Sequence, residues 1–81
     1  MKLPRDVDGD TLARLLRRYG YTIDHQTGSH QRLSADVHGG HHDLTIPLHK
    51  PLRVGTLHAI LKDVARHQEK EIGQVIRELF G

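Results

Sequence analysis

Cysteine and tryptophan are absent from this 81-residue chain, and its whole aromatic stock is Tyr19, Tyr21 and Phe80. Without cysteine there is no disulfide and no thiolate chemistry, as suits a reducing compartment. So few aromatics argue against a single-strand nucleic-acid binder built on base-stacking platforms. Long apolar runs are missing too. Residues 1–20 are charged and interrupted, giving neither a signal peptide nor a membrane span, so the expectation is a soluble cytoplasmic protein with no membrane contact. Charge excess is also small: 12 Lys and Arg against 10 Asp and Glu leave a formal +2, by itself a weak pointer to nucleic acid. At this length one domain over residues 1–81 with a single modest core is predicted.

What the chain has in abundance is histidine, with eight in all. His25, His30, His38, His41, His42 and His49 crowd into residues 25–49, and at roughly pH 6 their partial protonation makes that half cationic. His38, His41, His42 and Asp43 carry metal-ligand atoms. In a strand, however, His42 and Asp43 face opposite ways, and no HExxH or Cys/His spacing is present, so no metal site and no cofactor is predicted.

Periodicity places the elements. An extended Met1–Arg5 leads to Asp8 or Asp10 as a helix cap. Leu12, Leu15, Leu16 and Tyr19 form a helical stripe that Gly20 ends, with Arg14, Arg17 and Arg18 off the stripe. Tyr21 and Ile23 alternate with polar residues in a first, half-buried strand, and Thr27–Gly28–Ser29 is a hairpin turn. In the second strand His30, Arg32, Ser34 and Asp36 share one face, and Leu33, Ala35 and Val37 the other. The apolar set seeks the core, so His30 faces outward. His38–Gly39–Gly40–His41 is a turn whose glycines admit positive φ. His42, Leu44 and Ile46 share a face of the third strand, which Pro47 ends. A basic loop through His49, Lys50 and Arg53 leads to a helix starting near Val54 or Gly55, with Leu57, Ile60, Leu61 and Val64 inward. Ile72, Val75, Ile76 and Leu79 make a further stripe over Glu69–Phe80, either continuing that helix or forming a second one.

An exposed imidazole beside a glycine turn can take up or give a proton near neutral pH. Arg32, two residues along on the same face, is an electrostatic partner for a phosphate, and Gly28, Ser29 and Lys50 are further candidates to hold it. As sequence neighbours Ser29 and His30 are expected to point apart, which excludes a Ser–His–Asp arrangement.

Gly28–Ser29–His30 in a hairpin, after one amphipathic helix and before a strand ending in Ile46–Pro47, followed by Gly55–Thr56–Leu57 and Ile60–Leu61–Lys62, resembles the HicA toxins. The resemblance is strongest over residues 10–66, with 67–81 a helical extension. It departs at Leu33, where an aromatic is often found, and in that C-terminal helix, for which core, dimer and antitoxin contacts are all open.

The resemblance implies an α+β, double-stranded-RNA-binding-like sandwich ordered α-β-β-β-α(-α), with a three-stranded antiparallel sheet and helices on one face. It implies the toxin of a type II toxin–antitoxin system, an mRNA interferase. Such a protein is a metal-independent endoribonuclease that cleaves mRNA and blocks translation, with His30 as catalytic base or acid and a HicB-like antitoxin covering the His30 face. The rival reading is a non-catalytic RNA-binding module of the same fold, although Val54–Gly55–Thr56–Leu57 lacks the basic cluster such domains use. A third is a protein-binding scaffold.

Overall fold

Alternation holds through most of β2 (His30–Val37): Gln31, Leu33 and Ala35 are buried, while His30, Arg32 and Asp36 are exposed, and Ser34 on the outer face is the exception, buried in mid-strand. The structure, a computed structural model, describes residues 3–81, so Met1 and Lys2 of the expected extended start lie outside the described residues. Along the chain follow α1 (Gly9–Leu15), a 3₁₀ turn (Leu16–Tyr19), β1 (Thr22–Gln26), β2, β3 (Gly40–Pro47), α2 (Val54–Gln68) and α3 (Ile72–Phe80). The sheet is antiparallel in the order β1-β2-β3. The architecture is the α+β, double-stranded-RNA-binding-like one expected from the sequence. No helix among the described residues is long and apolar enough to cross a membrane.

The inner face of the sheet (Leu33, Ala35, Leu44, Ile46) packs with Leu12 and Leu16, with Leu57, Leu61 and Val64, and with Val75 and Leu79 in one apolar cluster. The C-terminal helix therefore serves the core. Burying a Leu or Val side chain contributes about 1.5–3 kcal/mol, which offsets the local weakness of so short a helix carrying Gly73 in its first turn.

α1 starts differently from expectation. Asp8 occupies the capping position but makes no side-chain cap, and Asp10 lies inside the helix. The N–H of Gly9 instead donates to the His49 carbonyl at 3.1 Å. Helix and post-sheet loop thereby satisfy each other. Only a glycine allows it, because a Cβ at this position would stand 2.0 Å from the Pro47 carbonyl oxygen.

The two C-terminal stripes belong to separate helices, and the second begins at Ile72, not Glu69. Glu69 adopts φ 56°, ψ 46°, in the left-handed region. Its N–H donates to the Arg66 carbonyl and that of Lys70 to the Ala65 carbonyl, the paired bonds of a Schellman ending. A non-glycine residue in this conformation costs about 1–2 kcal/mol, and the exposed Glu69–His38 ion pair at 3.2 Å returns little of it. Glu69→Gly, after its own loss of chain entropy, is expected to raise stability by about 0.5–1 kcal/mol. A thermal melt that moves down would remove the strain assignment.

α3 is also tied to the first helical segment. Glu78 accepts hydrogen bonds from the Lys70 ammonium (2.8 Å), the Tyr19 hydroxyl and the Gln74 amide (2.9 Å), and Arg18 donates to its backbone carbonyl. The Lys70 bond, then those from Tyr19 and Gln74, hold the Glu78 carboxyl down at about 2, against an ordinary 4.5. A depressed carboxyl adds stability that is fully present above its unfolded value and lost as pH falls through its folded one. Between pH 4.5 and about 2 the melting temperature should therefore fall more steeply in the parent than in Glu78→Gln. Parallel pH slopes would show that the cluster does not stabilise the fold.

Candidate active site

The turn before β2 is held by one hydroxyl. Thr27 Oγ1 accepts the N–H groups of Ser29 (3.3 Å) and His30 (3.1 Å), while the Thr27 N–H donates to the His30 carbonyl (2.9 Å). Gly28 at its tip has no left-handed φ, and a Cβ there would meet nothing within 4 Å. The fold thus does not require this glycine. Gly28→Ala is expected to leave stability unchanged or raise it by roughly 0.4–1 kcal/mol at most, read as an equal or slightly higher melting temperature. A marked loss of stability would show the turn to be strained after all.

Ser29 lies in the turn, where strand alternation does not apply. It does not point away from His30: its Oγ is 2.8 Å from His30 Nδ1. Both groups that Ser29 could offer to a phosphate thus have protein partners, and its hydroxyl fixes the imidazole. With Nδ1–H donating to Oγ, Nε2 is left bare toward solvent.

His30 is exposed on the outer face of the sheet, paired with Pro47 of β3, and the next residue of the loop, Leu48, donates its N–H to the Ser29 carbonyl (2.8 Å). Arg32 follows on the same face, opposite Thr45, its guanidinium a loose 3.9 Å from Asp43. The other end of this face neutralises itself. His41 bridges Asp36 (3.0 Å) and Asp43 (2.9 Å), and those bonds, Asp36's first, push its imidazole above the ordinary value. At the His30 end Arg32 keeps only its loose contact with Asp43, and among the described residues no carboxylate pairs with His30.

Sequence reasoning missed one member of this group. The β1–β2 register runs Thr22↔Ser34 and Ile23↔Leu33, then slips at Asp24 to His25↔Arg32 and Gln26↔Gln31. This β-bulge moves His25 from the inner face, where unbroken alternation puts it, to the outer face beside Arg32 and diagonal to His30. Diagonal neighbours across an antiparallel pair have their backbones about 7–8 Å apart, so two imidazoles can flank one phosphodiester. The bulge also brings Gln26 inward, where its Oε1 accepts from Gln31 Nε2 at 3.0 Å. β1 as a whole is more open than the half-buried strand expected: every residue in it is exposed, Ile23 included, and only Tyr21 before it is buried.

Lys50 comes to the same hairpin by another side. It borders a hollow of about 200 Å³ with Asp10, Gln26, Gln31 and Leu48, among residues of the helix-facing surface. His30, His25, Arg32 and Ser29 are thus brought together, and Lys50 stands apart from them. In the β2–β3 turn His38 and Gly39 take the positive φ values (47° and 78°), and Gly40 does not. His42 points inward, so His38, His41, His42 and Asp43 do not converge.

A family model described as the HicA toxin of bacterial toxin–antitoxin systems matches residues 9–65, from the first residue of α1 to near the end of α2. Among curated proteins and among solved structures nothing matches the chain.

Proposed function

Starting from the fact that the chain belongs to the HicA family of bacterial toxins, we propose that it is a metal-independent endoribonuclease that cleaves mRNA in the cytoplasm and is silenced by a HicB-like antitoxin. The observation that carries this reading is the exposed His30 imidazole, oriented by Ser29, on one face with His25 and Arg32. His30 Nε2 takes the proton of a ribose 2′-hydroxyl as its oxygen attacks the adjacent phosphorus. The new 2′-O–P bond forms as the P–O5′ bond breaks. His25, protonated, gives its proton to the departing 5′-oxygen, and Arg32 offsets the charge on the non-bridging oxygens. Ser29 is a positioning residue, acting on RNA only through His30. The products are a 2′,3′-cyclic phosphate and a 5′-hydroxyl.

The outer face of the sheet is left uncovered by this chain's own helices, which supports an antitoxin seated there. End-group analysis of RNA cut by the purified chain tests the chemistry. A cyclic phosphate, cleavage that survives EDTA, and no cut where the 2′-hydroxyl is replaced by hydrogen are expected. 3′-Hydroxyl and 5′-phosphate ends would refute the mechanism, and tight binding without any cleavage would favour the non-catalytic RNA-binding reading.

A further inference from the structure

On the opposite side of the sheet three ligand-bearing side chains converge that no feature of the proposed ribonuclease uses. His42 of β3 is 6% exposed, and Asp63 and His67, one turn apart on α2, are each about a third exposed. One nitrogen of each ring and one carboxylate oxygen lie within 4.8 Å of one another. We propose that His42, Asp63 and His67 form a binding site for a divalent transition cation of the zinc class, stapling the end of α2 to β3.

The spacing fits. Ligands arranged tetrahedrally at about 2.0–2.1 Å from zinc stand about 3.3–3.4 Å from each other. His42 Nε2 lies 3.0 Å from Asp63 Oδ2, and His67 Nδ1 lies 3.5 Å from Asp63 Oδ1. Imidazole nitrogens and one carboxylate suit a borderline cation better than magnesium or calcium, which favour oxygen. His42 also has the support a ligand histidine needs: its other nitrogen, Nδ1, lies 2.7 Å from the buried Tyr21 hydroxyl, which fixes the ring and can accept an Nδ1–H. The partly exposed side of the cluster leaves a fourth position for water.

Two adjustments accompany binding. The rings of His42 and His67 are stacked, 3.5 Å between centroids and 10° between planes, so they cannot both aim an in-plane lone pair at one ion. His67, near the open end of α2, swings to do so, giving up the bond between its Nδ1 and the Asp63 backbone carbonyl (3.1 Å). Arg66, 2.6 Å from Asp63 Oδ1 and largely exposed, gives up that oxygen.

Zn²⁺ titrated into the full chain by calorimetry, with melts in parallel, decides the matter. One saturable equivalent, a raised melting temperature and, with Co²⁺, the visible bands of a four-coordinate ion are expected. His67→Ala should weaken binding at least about tenfold and abolish the thermal shift, whereas His41→Ala, in the exposed histidine turn, should alter neither. If the apo form of His67→Ala melts abnormally, Asp63→Asn supplies the same comparison. Absence of saturable binding in the parent, or its loss in His41→Ala and not in His67→Ala, overturns the site. RNA cleavage is no part of the readout, so this inference stands or falls separately from the ribonuclease reading.

Discussion

His30→Ala is expected to slow RNA cleavage by about 10²–10⁴-fold, the usual worth of a positioned acid–base group, and to abolish growth arrest when the chain is expressed without an antitoxin. Stability should stay within about 0.5 kcal/mol, because the ring is exposed and its side-chain partner is a hydroxyl that water can satisfy. Loss of function without loss of fold separates chemistry from packing. The same assay on His25→Ala divides the two imidazoles. If His25 is the proton donor, its removal lowers kcat/KM on RNA. A phosphodiester with a weakly basic leaving group, which needs no proton, should be cut almost as well by the variant as by the parent. Undiminished cleavage by His30→Ala would end the assignment of the base, whatever the fate of His25.

Gly9→Ala should destabilise the fold sharply. A Cβ there would stand 2.0 Å from the Pro47 carbonyl oxygen and 3.2 Å from the Leu48 Cα, all backbone, with no flexible side chain to yield. The start of α1 must therefore separate from the end of β3, straining the Gly9–His49 hydrogen bond. Overpacking of this kind costs about 1–3 kcal/mol, and for a domain of this size each kcal/mol lowers the melting temperature by roughly 4–8 °C. Gly28→Ala is the matched control, adding the same methyl where nothing stands within 4 Å. Equal melting temperatures for the two variants would contradict the packing described for the α1–β3 junction. The experiment bears on function as well, since Pro47 pairs with His30 and Leu48 bonds to Ser29, so a shift of this strand end carries the turn with it.

The face on which His30 lies was legible in the sequence. Leu33, Ala35 and Val37 can go only to the core, and period-2 geometry then sends His30 and Arg32 to water, with no need of tertiary information. The helical stripes and the inward side of β3 were readable for the same reason: burial of apolar groups is encoded at short range. Ser29 was misjudged because alternation was extended into a turn whose geometry Thr27 sets.

Two things only the tertiary structure decided. Asp24 and His25 are both polar, so no hydrophobic pattern marks which of them is the extra residue of a bulge. The β1–β2 pairing chose Asp24, and thereby put His25 with His30. His42 lies 21 residues from Asp63, and nothing local announces that packing α2 on the sheet will stack His42 on His67. Periodicity fixes which way a side chain faces. Which distant side chain it meets depends on register and on how helix and sheet pack, and those are settled only when the whole core closes.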